Sequence, residues 1–186
     1  MEIYLVRHTT PEVDKGVCYG QADLDVISSF QEEVNRLKFH LPKDIGKVYS
    51  SPLKRCKVLA QQLSDEISFD DRLKEMSFGD WELKKWDDIG TEGLNVWMDN
   101  FVGERPAGGE SFEDLSARVL EFWGELINKK LEDPVILCIH GGVIRVIISH
   151  LLHIPLRNTF HFHLDYGSVN KIARHGDIMR VEYVNR

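Results

Sequence analysis

Cysteine is scarce. Cys18, Cys56 and Cys138 are odd in number and far apart, which excludes a disulfide framework or a thiolate metal cluster as the organising element of the chain. Positive charge is also in deficit: 23 Lys and Arg against 30 Asp and Glu leave a formal net charge of −7. No global field therefore attracts nucleic acid or an anionic membrane, and any anion must be caught locally. No uncharged apolar run approaches the ~20 residues that cross a bilayer. The stretch from Met1 to Val6 reaches Arg7 without the basic region and cleavage site of a secretory leader. These absences predict a chain of the reducing cytoplasm with no nucleic-acid or membrane partner. Proline and glycine are dispersed, with no linker, internal repeat or low-complexity tract, so the 186 residues are read as one domain, 1–186.

What is present is an alternation of strand-like and helix-like segments. Residues 3–6 are a short β-favouring run that stops at Arg7-His8-Thr9-Thr10-Pro11, the pattern of a buried strand opening into a polar loop. Residues 26–37 carry helical periodicity. Lys47–Ser50 reads as a second strand, and Ser51-Pro52 as an N-cap with proline at the first helical position of a helix burying Leu53, Cys56, Leu59, Ala60 and Leu63. Ser111 with Asp114 resembles a capping box before a long amphipathic helix that ends near Leu131. Val135–Ile139 is the clearest buried strand, running through His140-Gly141-Gly142 into an apolar helix over 143–152. Residues 169–173 and Ile178–Tyr183 flank His175-Gly176-Asp177 as a hairpin. The pattern predicts a three-layer α/β/α sandwich with a mostly parallel central sheet and an antiparallel edge. Residues 86–110 are the least regular stretch, suited to a lid or substrate wall.

Open α/β sheets bind ligands beyond the carboxyl ends of their strands. Two of these strand ends deliver a histidine, His8 and His140. Arg55 falls in the first turn of the helix after the second strand, and Gly141-Gly142 exposes amides at the start of another, where helix N-termini favour anions. A lone histidine after a strand is ordinarily a loop residue and a lone arginine a surface cation. The conjunction of Arg7, His8, Arg55 and His140 describes a phosphate cradle. His161 with His163, alternating in an expected strand, and His150 with His153 lack a carboxylate or cysteine at companion spacing, so neither a metal site nor a cofactor is expected.

The segments Leu5-Val6-Arg7-His8-Thr9-Thr10, Ser50-Ser51-Pro52-Leu53-Lys54-Arg55, Glu75 to Glu82 and His140-Gly141-Gly142-Val143-Ile144-Arg145 resemble, in that order, the histidine phosphatase superfamily, also called phosphoglycerate-mutase-like. Gly108-Gly109-Glu110-Ser111-Phe112 resembles its phosphatase branch, and Arg7 to Gln21 resembles the members assigned to α-ribazole phosphate in the cobalamin pathway. The resemblance implies a metal-independent phosphomonoesterase in which His8 is the nucleophile, Arg7, Arg55 and His140 surround the phosphoryl oxygens, and Glu75 moves the proton. The small phosphorylated substrate is the only partner it implies, and it says nothing of oligomeric state. Two departures stand out: the family places glycine after the nucleophilic histidine and an asparagine further on, whereas here Thr9 follows His8 and Pro11-Glu12-Val13-Asp14 offers no asparagine. The alternatives are a phosphoglycerate-mutase-type transfer and a non-catalytic phosphate-binding module. Glu75 is followed closely by Phe78-Gly79-Asp80-Trp81 without the longer insertion of the mutases, which favours hydrolysis.

Overall fold

Consecutive side chains of a strand face opposite sides of its sheet. In β1 (Glu2–Arg7) residues 3–6 are all buried, as is the whole of β4 (Val135–Ile139), so both strands need cover above and below. The computed structural model describes residues 1–129 and 134–186 and has that arrangement. Among the described residues, β1, β2 (Lys47–Ser50), β3 (Ile67–Phe69), β4, β5 (Val169–His175) and β6 (Ile178–Tyr183) form one sheet in the order β3-β2-β4-β1-β5-β6. The strands from β3 to β1 run parallel, and β5 pairs antiparallel with both β1 and β6.

Two apolar layers follow from the alternation. Ile3 and Leu5 of β1 with Val135, Leu137 and Ile139 of β4 pack against α4 (Phe112–Asn128) and α5 (Gly141–Leu152) through Leu115, Val119, Val143 and Ile144. Tyr4, Val6, Ile136 and Cys138 face α1 (Phe30–Lys38) and α2 (Lys54–Ala60) through Val34, Leu37, Cys56 and Leu59. The expected three-layer sandwich is the result. Burial of each Leu or Ile is worth about 1.5–3 kcal/mol relative to exposure. A one-residue slip of β1 would exchange the two sets of side chains, so the register is firmly held.

Several boundaries differ from the expectation. Residues 26–29 are not helical, because Val26 bridges to Pro11 and the Ile27 N–H donates to the Thr10 carbonyl, closing the loop that follows His8. Ser51 is not a helix cap: α2 begins three residues later with Leu53 at the cap position. α5 starts at Gly141, two residues early, with His140 at its cap. α4 ends at Asn128, and its expected end near Leu131 lies outside the described residues. The stretch 86–110 holds a 3-10 turn, Trp86–Asp88, and α3 (Thr91–Asp99). His161 and His163 are not in a strand: His161 closes the 3-10 helix Leu156–His161, and the exposed His163 Nε2 lies 2.8 Å from Asp165 Oδ1.

The capping box at α4 is formed in both directions. Ser111 Oγ accepts the Asp114 N–H at 3.1 Å, and Asp114 Oδ2 accepts the Ser111 N–H at 2.9 Å while pairing with Arg105. Replacing Ser111 by alanine leaves these donors to water and is expected to cost about 1 kcal/mol. That corresponds to a fall in Tm of roughly 2–4 °C for a chain of this size, and an unchanged Tm in thermal denaturation would show that the box contributes nothing.

Candidate active site

β1 and β4 are parallel neighbours in a register that sets Val6 opposite Cys138 and Arg7 opposite Ile139. The next residue on each is a histidine, so the two leave the sheet side by side. The His8 N–H donates to the Ile139 carbonyl at 3.0 Å, and the His8 and His140 rings lie 5.1 Å apart, edge to face. On the other side of β4 the Ser51 N–H donates to the Cys138 carbonyl at 3.0 Å, and Ser51 Oγ sits 2.8 Å from His140 Nε2, fixing that ring.

His8 Nδ1 is 2.7 Å from the Thr9 carbonyl. A carbonyl only accepts, so Nδ1 carries the proton and Nε2 keeps its lone pair. Burial, then the Arg55 and Arg7 guanidinium groups, hold the His8 imidazole well below the ordinary histidine value of 6.5. His140 is shifted the same way by burial and then Arg55. Both rings are therefore neutral near pH 7. The loop after His8 is fastened by the buried Glu33 of α1, whose carboxylate accepts the Thr10 N–H at 2.9 Å, the Thr10 hydroxyl at 3.1 Å and the Ser29 hydroxyl at 3.0 Å. Thr9 is buried with its hydroxyl unpartnered, and Asp14 is exposed.

Arg7 donates Nη1 to the Leu164 carbonyl at 2.6 Å and lays its guanidinium 4.0 Å above the Tyr166 ring. Arg55, fully buried, donates Nη1 to the Ala22 carbonyl at 2.8 Å and Nη2 to the Gly20 carbonyl at 2.7 Å. In both, the Nε–H is buried without a partner. Each cation is thus anchored through its outer nitrogens and, among the described residues, keeps one buried donor without an acceptor.

Glu75 reaches the same place from the loop after β3. Its Oε1 accepts the Met76 N–H at 3.0 Å and its Oε2 the Gly142 N–H at 3.2 Å, so the Gly142 amide, expected to be free for phosphate, is committed to Glu75. A Cβ at Gly142 would collide with Glu75 Oε1, which explains glycine there. Arg118 of α4 clamps the loop from behind: Nη1 donates to the Arg72 and Lys74 carbonyls at 2.7 Å, Nη2 to the Glu75 carbonyl at 2.9 Å, and the group pairs with Glu110. Arg7, His8, Arg55, Glu75 and His140 are thereby brought together where β1 and β4 end. Arg7 and Glu75 line a cavity of about 290 Å³ with Tyr19, Gly141 and Arg145, walled by Phe78, Trp86, Trp97 and Phe101, whereas His8, Arg55 and His140 are buried and do not line it.

Residues 3–186 match the family model of the histidine phosphatase superfamily, branch 1. The chain belongs to this superfamily. A Hydrogenobacter thermophilus protein provisionally named phosphoserine phosphatase 2 is 30% identical to it, with 99% of this chain and 95% of the relative covered. The adenosylcobalamin/α-ribazole phosphatase of Escherichia coli is 28% identical over 90% of this chain and 87% of its own length. The crystal structure of the α-ribazole phosphatase from Shigella flexneri superposes with a TM-score of 0.92 at 26% identity, covering 100% and 96% of the two chains. The expected phosphoglycerate-mutase-like architecture is therefore the one observed.

Sequence reading gave no role in this histidine phosphatase to Tyr19 and Tyr166, whose hydroxyls lie 2.8 Å apart, nor to Arg118 and Arg145. Arg145 had a visible signal in its place on the apolar helix after His140; the others come from loops and a helix that meet the site only in three dimensions.

The neutral histidines set a linkage with a definite sign. Below pH 6.5 the unfolded chain protonates both rings while the native chain does not, so the unfolded state binds more protons and stability falls as pH drops. Tm measured from about pH 7.5 to about pH 5 is expected to decline, with a shallower slope in His8→Asn. An identical slope in the variant would contradict a buried neutral His8.

Proposed function

We propose that this histidine phosphatase hydrolyses small phosphomonoesters through a phosphohistidine at His8. One observation carries the reading: a buried, neutral His8 whose Nδ1–H is tied to the Thr9 carbonyl while Arg7 and Arg55 hold unpartnered Nε–H donors beside it. The lone pair of His8 Nε2 attacks phosphorus as the bond to the ester oxygen breaks in line. Charge on the equatorial oxygens is met by Arg7, Arg55 and His140, groups already oriented in a water-poor site. Glu75, aimed by the Met76 and Gly142 amides, gives its proton to the departing alkoxide. Water then attacks the phosphohistidine, returning a proton to Glu75 and releasing phosphate and the free imidazole.

The α-ribazole 5′-phosphate reading of the first loop is supported by the names of two relatives, while another carries a phosphoserine name. Among the described residues no helix is long and apolar enough to cross a membrane, and the three cysteines are free and buried, which supports placement in a reducing cytoplasm.

Turnover of an aryl phosphate is expected to fall at least ~10³-fold in His8→Ala, and an alkaline quench of the wild type to trap an acid-labile phosphohistidine by ³¹P NMR. Wild-type velocity without that ring, or no adduct at any quench time, would sink the proposal. In kcat/KM, which reports formation of the phosphohistidine and not its hydrolysis, Glu75→Gln is expected to slow alkyl esters by roughly 10²–10⁴ and to spare aryl esters, whose leaving group needs less protonation. Equal losses on both would remove Glu75 as the acid. Release of inorganic phosphate without isomerisation of phosphoglycerate separates hydrolysis from mutase chemistry.

A further inference from the structure

The cavity beyond the phosphoryl site contains a cation that the mechanism above does not use. Arg145 sits on α5, one turn after Gly141, and lines the cavity with Arg7 and Glu75. Among the described residues its guanidinium has no hydrogen-bond acceptor and no carboxylate within ion-pair distance, and its Nε–H is buried and unpartnered. Phe160 packs against it, with Cζ 4.7 Å from the ring centroid. Every other arginine near the site is tied: Arg7 to Leu164, Arg55 to Ala22 and Gly20, Arg118 to Glu110 and three carbonyls.

The remaining polar groups around the cavity sharpen the point. Glu75 is the acid that lines the cavity among the described residues, but its oxygens serve the Met76 and Gly142 amides, and the Tyr19 hydroxyl is engaged with Tyr166. Trp97, stacked on Trp86 at 6.0 Å, adds an indole Nε1–H that is buried and unpartnered. Among the described residues the cavity therefore presents a cation that makes no hydrogen bond, between flat apolar walls. A partly buried charge without a counter-ion is costly, and the same low dielectric strengthens the pairing once an anion arrives. Burial and then the neighbouring Arg7 lower the Arg145 pKa from its ordinary value, and the opposing charge of Glu75 offsets them only in part.

We propose that Arg145 is a specificity-determining residue that reads a carboxylate or comparable second acid group on the leaving alcohol, whose apolar face lies against Trp86 and Trp97. The inference rests on the phosphohydrolase reading and names the substrate class within it: phosphomonoesters of acidic alcohols rather than of neutral nucleosides. Arg7 and Arg55 hold the phosphoryl group that is transferred, and Arg145 holds the part that leaves.

The test compares phenyl phosphate with 3-carboxyphenyl phosphate, which share an aromatic body and differ by one carboxylate. In the wild type the carboxylated ester is expected to have the higher kcat/KM, and Arg145→Gln to shrink that preference roughly 10- to 100-fold, mainly through KM, with partial rescue in Arg145→Lys. A parallel fall for both esters would overturn the proposal, since it would assign Arg145 to the transferred phosphoryl group or to the fold; so would an unchanged preference. If Arg145→Gln does not fold, the wild-type preference and its loss with rising salt in Arg145→Lys decide the matter. A wild type that turns over α-ribazole 5′-phosphate faster than phosphoglycerate and O-phosphoserine would also overturn it. Hydrolysis of neither aryl ester by the wild type would instead remove the phosphohydrolase reading on which it stands.

Discussion

The site depends on keeping two imidazoles neutral beside the buried Arg55 and the half-buried Arg7. Desolvation alone disfavours a third and fourth positive charge there, and Arg55 and Arg7 push in the same direction. Neutrality is what the proposed nucleophilic role of His8 requires, because only the unprotonated ring has a lone pair to offer phosphorus. The arginines are tolerated because backbone carbonyls of Leu164, Ala22 and Gly20 take up their outer N–H groups. What those carbonyls leave unsatisfied, among the described residues, is one buried Nε–H on each arginine, the capacity that the proposed mechanism assigns to a phosphoryl group.

That electrostatic arrangement is held by strand register. Because β1 and β4 are adjacent and parallel with Arg7 opposite Ile139, the residues that follow emerge as a pair and need no long side chains to meet. The loops carrying Glu75, Tyr19 and Tyr166 close over this rigid base and are stitched to it by polar contacts such as the Arg118 clamp and the Glu33 anchor. Chemistry is thus built on the sheet, while the leaving-group cavity is built on the connections. Relatives that share the fold at 26–30% identity carry different substrate names, which fits a constant core beneath variable walls.

The chain order of most of the elements and the four residues Arg7, His8, Arg55 and His140 were legible in the residues themselves, while Glu75 came from the family resemblance and β3 and α3 were not read. Buried strands such as 135–139 have no polar position, and a histidine directly after one can lie only at a strand's carboxyl end. Elements whose limits are set by tertiary contacts were not legible. Residues 26–29 have helical spacing but are drawn into the loop by Pro11 and Thr10, and β3 is too short to show a period. The Gly142 amide looked free for phosphate because its partner, Glu75, lies 67 residues away in sequence.

By itself the sequence determined the layer architecture and placed His8 and His140 each at the carboxyl end of a buried strand, since both follow from local patterns of burial and turn chemistry within a few residues; that the two strands are neighbours in register was decided by the sheet. Only the tertiary structure decided which donors remain unspent, that Arg118 supports Glu75, and that Arg145 lines an aromatic cavity with no ion pair among the described residues. Those facts are sums over groups distant in sequence, and a hydrogen bond that is absent leaves no mark on the residues that fail to make it.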